Sequence, residues 1–180
     1  STFNTTIDSE VIIKMIARKA NGNVEEAIRS AVGAIKGAYA LVILAGNKLV
    51  GVRDPYGIRP LCLGTNANGD YILASESCAI DAVGGTFVRD IHAGEMVIID
   101  EDGVKSIKYS ENNKKAPCSF EHIYFARPDS VIDGLNVYES RVEAGRLLAR
   151  QMKVDADVVI GVPDSGIPAA IGYAEESGIP

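Results

Sequence analysis

At 180 residues, 47% of them hydrophobic, the chain has material for one or two globular domains with cores of their own. Its net charge of −6, with no cluster of Lys and Arg, argues against a nucleic-acid surface, and Lys114-Lys115 reads as a solvated turn. No apolar run approaches the roughly 18 residues of a membrane span, no signal-peptide pattern is visible, and Cys62, Cys78 and Cys118 form neither a CxxC pair nor an even disulfide set, which fits a cytoplasmic protein.

Ser1 to Ile7 is polar and β-rich. Asp8-Ser9-Glu10 then starts a helix, with Asp8 or Ser9 as its cap and Glu10 in the first turn, and Asn21-Gly22-Asn23 ends it. Ala27, Ile28, Ala31, Val32 and Ile35 put one apolar face on a second helix from about Val24 to Ile35, closed by Lys36-Gly37. The period then changes. Tyr39 to Ala45 is a continuous, β-branched apolar run that predicts a buried strand, and Lys48 to Val52 returns as its hairpin partner. Arg53 to Pro60 is a fixed bend with two prolines and a glycine.

Short strands follow at Leu61–Gly64 and Tyr71–Ala74, and Ser75-Glu76-Ser77 caps a short helix to about Val83. Further strands run over Thr86–Asp90, Glu95–Asp100 and Val104–Tyr109, with Glu101-Asp102-Gly103 as a hairpin turn. Two helices followed by repeated hairpins predict an α+β layered domain over residues 1–116, with Ser110 to Pro117 as linker. Residues 117–180 are the joint and the first strand–loop–helix unit of a second domain. Asn136–Lys153 is a helix with Val142, Gly145, Leu148, Ala149 and Met152 as its apolar stripe. Asp157–Val162 is a buried strand, Gly161–Gly166 a tight loop, and Ile167–Glu176 a helix stopped by Gly178. A single strand–loop–helix unit of a parallel sheet needs neighbours, so the polypeptide is expected to be a piece of something longer. There is no internal repeat and no low-complexity tract.

Five stretches carry candidate chemistry. A carboxylate opening a helix, as Asp8 does, ordinarily just caps it. Arg53, Asp54 and Arg59 can bridge their loop by hydrogen bonds, a structural role, and a capping or buried-polar role suffices for Ser75-Glu76-Ser77. Cys118 reads as a small buried hydrophobe. The loop Gly161–Gly166 lies where ligands bind in parallel α/β sheets, and amides at a following helix start can face an anion, although a plain turn fits too. His92 and His122 have no metal-ligand spacing and are assigned no site.

Four motifs in this order, NTTIDSE (4–10), RDPYGIRPL (53–61), YFARPDS (124–130) and GVPDSG (161–166), make the chain resemble the glutamine amidophosphoribosyltransferases over nearly its whole length. RDPYGIRPL alone is similar to a segment of other glutaminases, asparagine synthetases included, and the last two motifs exclude those. The resemblance implies an N-terminal-nucleophile (Ntn) hydrolase-type α/β/β/α sandwich, present in part, followed by the start of a phosphoribosyltransferase-type parallel-sheet domain. Asp8 falls where the family holds the α-amino group of glutamine, and a buried ammonium needs such a paired charge. Cys118 falls at the first ligand of the [4Fe–4S] cluster that some members carry, which needs three further thiolates. Ser165 falls in the loop that meets pyrophosphate and Mg²⁺.

In this family the nucleophile is a cysteine upstream of the segment matching Asp8. No Cys precedes Cys62, so no catalytic residue is assigned, and Ser1 reads as an arbitrary start. The implied parent enzyme makes 5-phosphoribosylamine from glutamine and phosphoribosyl pyrophosphate at the first step of purine biosynthesis. It is a homo-oligomer inhibited by purine nucleotides. The given polypeptide alone is expected to catalyse neither half-reaction. The rival reading, a non-catalytic nucleotide-sensing regulator with a phosphoribosyltransferase-type fold, lacks an attached glutaminase domain. The helix–hairpin segment from Asp8 to Tyr109 argues against it.

Overall fold

The computed structural model describes residues 3–20, 22–111 and 114–180. Ser1, Asn21 of the expected helix stop, and residues 112–113 of the expected linker lie outside them. The fold is mixed α/β. It divides into two compact units, residues 1–61 with 91–117 and residues 62–90 with 118–180. Residues 62–90 therefore group with the C-terminal part of the chain, not with their sequence neighbours. Among the described residues no helix is long and apolar enough to cross a membrane.

The first unit holds helices α1 (Asp8–Lys19) and α2 (Val24–Val32). It also holds strands β1 (Ala40–Ala45), β2 (Lys48–Arg53), β6 (Glu95–Asp100) and β7 (Gly103–Lys108), which form an antiparallel sheet in the order β1-β2-β6-β7. Asn23 caps α2 by accepting the Glu26 amide at 3.2 Å. The helix ends at Val32, three residues short of the expected Ile35. The Ala34 and Ile35 amides turn back to Ala31 and Val32 and tighten the last turn. Ile28, Ala31 and Val32 of α2 form the core with Val50, Val52, Met96 and Ile98 of the sheet. Burying each large aliphatic of this set contributes about 1.5–3 kcal/mol.

Two expectations for this unit need correction. Neither Asp8 nor Ser9 caps α1, because Ile7 occupies the cap position and no side chain caps there. The β1 run, apolar throughout, is not buried throughout. It is an edge strand, and its residues alternate, so Val42 is 53% and Leu44 77% exposed.

The second unit contains β3 (Cys62–Thr65), β4 (Tyr71–Ala74) and β5 (Thr86–Asp90) in the antiparallel order β4-β3-β5, with α3 (Ser77–Ala82). Ser75-Glu76-Ser77 was expected to cap α3. Glu76 occupies the cap position, but its side chain makes no cap bond. A π-helical turn (Glu121–Phe125) and a two-residue hairpin, β8 (Val131–Ile132) with β9 (Leu135–Asn136), lead into α4 (Val137–Gln151), which Asn136 caps through the Glu139 amide. In α5 (Gly166–Ser177) the left-handed Gly178 ends the helix.

Helices α4 and α5 pack at backbone distance through Gly145 and Gly172. The buried stripe of α4 is narrower than expected: Val142, Gly145 and Ala149 are buried, and Leu148 and Met152 are exposed. The strand expected over Asp157–Val162 does not form. A parallel strand takes its hydrogen bonds from neighbours, and no described strand pairs with this segment. The Val159 amide finds Pro180 O, and Ile160 is 81% exposed.

Candidate functional site

The bend after β2 is held from inside by two adjacent buried charges. Arg53 donates from Nε to Arg59 O at 2.8 Å, from Nη1 to Ile91 O at 2.8 Å and from Nη2 to Gly57 O at 3.0 Å. The Asp54 carboxylate, fully buried, accepts the amides of Tyr56, Ile58 and Arg59 at 2.9–3.1 Å. Tyr109 donates to Arg53 O at 2.7 Å, and burial pushes its phenol pKa up. Apart from the Arg53 bond to Ile91 O, the two charges face backbone of the loop itself, so this stretch reads as a brace.

Asp8 is the first residue of α1 and is exposed. The segment before it is fixed by Glu10. That carboxylate accepts the Asn4 and Thr5 amides at 2.8 Å each and the Thr5 hydroxyl at 2.7 Å, and it pairs with Lys14 at 2.7 Å. The Lys14 ammonium, followed by the Asn4 and Thr5 donors, holds the Glu10 carboxyl down from 4.5 to about 2. The motif NTTIDSE is thus a reverse cap, in which the third helical residue reaches back over the chain and leaves Asp8 uncommitted to capping. The role of Glu10 was not foreseen beyond its favourable place in the first turn, although Thr5 and Glu10 stand at a spacing that permits it.

In the second unit the π-helical turn brings Phe120, His122 and the start of the YFARPDS segment against α4 and the head of α5. Arg141, 5% exposed, donates from Nε to His122 O and from Nη2 to Ala126 O, both at 2.7 Å. Its burial lowers the guanidinium pKa, and the Glu76 charge offsets part of that. A cavity of about 330 Å³ is lined by Phe120, His122, Ser140, Arg141, Ser165 and Gly166, among others. The His122 Nδ1 is buried and has no hydrogen-bond partner. Sequence reading assigned Arg141 nothing. An arginine one residue before Val142, on the buried stripe of α4, is the signal that could have found it.

Ser165 sits directly before α5, and its hydroxyl makes no cap hydrogen bond. The Gly166 and Ile167 amides bond to Val162 O and Asp164 O, and the next residue, Pro168, has no amide hydrogen. The Gly166 and Ile167 amides are therefore engaged in the turn, and the Ser165 hydroxyl is a side-chain donor beside them. Cys118 is half-buried. Cys62 donates to Ala74 O at 3.3 Å, and burial pushes its thiol up to about 12, which disfavours the thiolate a metal needs. Among the described residues no group of three or more His, Cys, Asp or Glu side chains could hold a metal ion. These residues by themselves do not fit an iron–sulfur cluster, because Cys118 is one thiolate of the four required.

Residues 1–82 match the family model for the glutamine amidotransferase domain. The amidophosphoribosyltransferase of Bacillus subtilis (strain 168) is 46% identical over 180 residues, covering all of this chain and 38% of that protein. That of Archaeoglobus fulgidus is also 46% identical, with 99% and 39% covered. All of this chain is thus similar to part of an amidophosphoribosyltransferase. Among solved structures, the B. subtilis glutamine phosphoribosylpyrophosphate amidotransferase complexed with ADP and GMP superposes with a TM-score of 0.95, covering all of this chain and 39% of that one. The chain thus spans well under half the length of the amidophosphoribosyltransferases it matches. Asp8 and Glu10 lie inside the matched amidotransferase segment, and Cys118, Arg141 and Ser165 lie beyond it.

Proposed function

We propose that the complete protein is an amidophosphoribosyltransferase of purine biosynthesis. Water cleaves the side-chain amide of glutamine to give glutamate and ammonia. The ammonia nitrogen then bonds to the ribose C1 of phosphoribosyl pyrophosphate as the C1–O bond breaks. Pyrophosphate leaves, a proton is released, and 5-phosphoribosylamine remains. The observation that carries this reading is 46% identity sustained over the entire chain, from the amidotransferase match through YFARPDS to GVPDSG. The amidotransferase match over residues 1–82 favours an enzyme over a nucleotide-sensing regulator.

In this reading residues 1–116 are the later part of the Ntn-type glutaminase sandwich, and residues 117–180 are the joint and the start of a phosphoribosyltransferase-type domain. Asp8 pairs with the glutamine ammonium. Ser165 binds the pyrophosphate side of the second substrate and shares its Mg²⁺, a hard cation suited to a hydroxyl oxygen and to water. The metal would neutralise charge on the departing pyrophosphate. Cys118 supplies one thiolate of a [4Fe–4S] cluster, with the other three outside residues 1–180. Purine nucleotides inhibit, as the ADP- and GMP-bound relative suggests. The enzyme works in the cytoplasm as a homo-oligomer. The test is an assay of the complete protein with glutamine, phosphoribosyl pyrophosphate and Mg²⁺. Equal amounts of glutamate and pyrophosphate are expected, and glutamate without pyrophosphate would leave only a glutaminase.

A further inference from the structure

The head of α3 grips a distant turn in a way that neither half-reaction uses. A single oxygen, Glu76 Oε2, accepts the Arg127 amide at 2.9 Å and the Ser130 hydroxyl at 2.7 Å, with the Cys78 thiol at 3.8 Å. The next side chain continues the grip, as Ser77 Oγ accepts the Val131 amide at 2.9 Å. Two consecutive residues thus hold three donors within residues 127–131. Ser130 is fully buried and Ser77 nearly so, so the bonds these two serines make are partly shielded from water, whereas the Arg127 amide bond lies at the exposed surface. Within the turn, Ser130 N bonds to Arg127 O, and Val137 N and Tyr138 N bond to Ser130 O and Pro128 O. These bonds shape the turn but do not tie it to α3.

At the other end of the same segment, Arg141 of α4 holds the His122 and Ala126 carbonyls. The stretch from 122 to 131 is therefore suspended between a cation from α4 and an anion from the head of α3. Glu76 and Ser77 lie within the segment that matches the glutamine amidotransferase domain, and residues 122–131 lie outside it. All of them belong to one compact unit. The grip thus crosses the boundary of the match inside a single packed body, and it leaves Asp8 and Ser165 untouched.

We infer that Glu76 is a positioning residue, which ties the 127–131 turn to the amidotransferase segment so that ammonia released from glutamine is delivered to the ribosyl acceptor. The inference rests on the proposed function. Loosening the tie leaves the residues of each half-reaction in place, so delivery is lost before either chemistry.

The experiment compares the complete wild-type protein with Glu76→Ala, Glu76→Gln and Ser130→Ala. Three rates are read: glutamate formed, phosphoribosylamine formed from glutamine, and phosphoribosylamine formed from ammonium chloride. In Glu76→Ala the yield of phosphoribosylamine per glutamate should fall about tenfold, the equivalent of one charge-assisted hydrogen bond, while synthesis from ammonium holds. Glu76→Gln keeps a carbonyl acceptor and should recover most of the yield. A yield per glutamate that does not change, or equal losses in all three rates, overturns the inference. Should Glu76→Ala not fold, Ser130→Ala carries the same test with a smaller expected drop, and an unchanged yield again overturns it. Hydrogen exchange at the Arg127 amide provides a readout independent of activity. It should quicken in Glu76→Ala, or in Ser130→Ala should the first variant not fold, and unaltered protection also sinks the idea. A wild type that makes no phosphoribosylamine from either nitrogen source would defeat the proposed function, with amide exchange still judging the tie.

Discussion

Gly145 of α4 lies against the backbone carbonyl of Ala169 in α5, so closely that a Cβ at 145 would overlap that carbonyl oxygen. The contact is reciprocal, because a Cβ on Gly172 of α5 would strike the Val142 carbonyl. Two helices can approach this closely only where neither carries a side chain.

Gly145→Ala should therefore force the helices apart. The obstacle is backbone, which cannot swing away as a side-chain tip can. The expected loss is about 1–3 kcal/mol or more, the range for overpacking, read as a lower midpoint in urea at unchanged slope. Gly166→Ala is the control, because a Cβ there meets only Val162 at ordinary contact distance. Equal midpoints for Gly145→Ala and wild type would show that the helix pair tolerates separation.

The Glu10 brace predicts a pH dependence with a definite sign. Its carboxyl lies lower when folded, about 2, than the ordinary 4.5, because Lys14 and the Asn4 and Thr5 donors favour the charged form. A depressed carboxyl contributes stability in full above the unfolded value, and that contribution is lost as pH falls from 4.5 through about 2. The Asn4 and Thr5 amides should then lose their protection in that window, followed by amide NMR. Glu10→Gln should lack the transition. Wild-type amides that stay protected down to pH 2 would remove the carboxylate from the brace.

How much of this was legible depends on whether the signal is local. Helix α2 and the β1–β2 and β6–β7 hairpins follow from periodicity and turn residues, and the structure has them within a few positions. The β8–β9 hairpin was missed although Asp133-Gly134, both with positive φ, form the kind of two-residue turn that specifies one. Its strands are too short to leave an alternating pattern. The burial of β1 was misread because an apolar run says nothing about whether a strand is central or at an edge. The Glu76 contacts were illegible for a different reason. Glu76 meets residues more than fifty positions away, and no local pattern states such a pairing. Asp8, Cys118 and Ser165 were assigned their roles through motif resemblance, and the structure adds their surroundings: an exposed helix start, a half-buried thiol and a cavity wall.

For Asp8, the expectation concerns glutamine only. In the complete enzyme Asp8→Asn should raise the glutamine KM, since the amide cannot neutralise an ammonium. Activity with added ammonia should stay intact, because that route bypasses glutamine. Asp8 makes no cap bond in α1, so the substitution removes no capping interaction. An unchanged glutamine KM would take Asp8 out of the pocket.

Cys118 is tested by metal content. The complete protein, purified without oxygen, should be brown and carry about four irons per chain. Cys118→Ser should lose both colour and iron. A colourless wild type would place this chain among members without a cluster and leave Cys118 as a partly buried thiol.

Ser165 joins the cavity wall to the head of α5, where its hydroxyl makes no cap bond and the Gly166 and Ile167 amides are engaged within the turn. Ser165→Ala should weaken phosphoribosyl pyrophosphate binding by about 1–2 kcal/mol, the value of one hydrogen bond to a charged group, roughly a five- to thirtyfold rise in Kd. Glutamine hydrolysis measured alone should hold, because Ser165 lies outside the amidotransferase match. Folding should be unaffected too, since the helix start already stands without a side-chain cap, and a matching urea midpoint would verify that. The deciding measurement is the phosphoribosyl pyrophosphate Kd of both forms at saturating Mg²⁺. Equal values would mean that the hydroxyl only finishes the turn, and that substrate and metal are held by other groups.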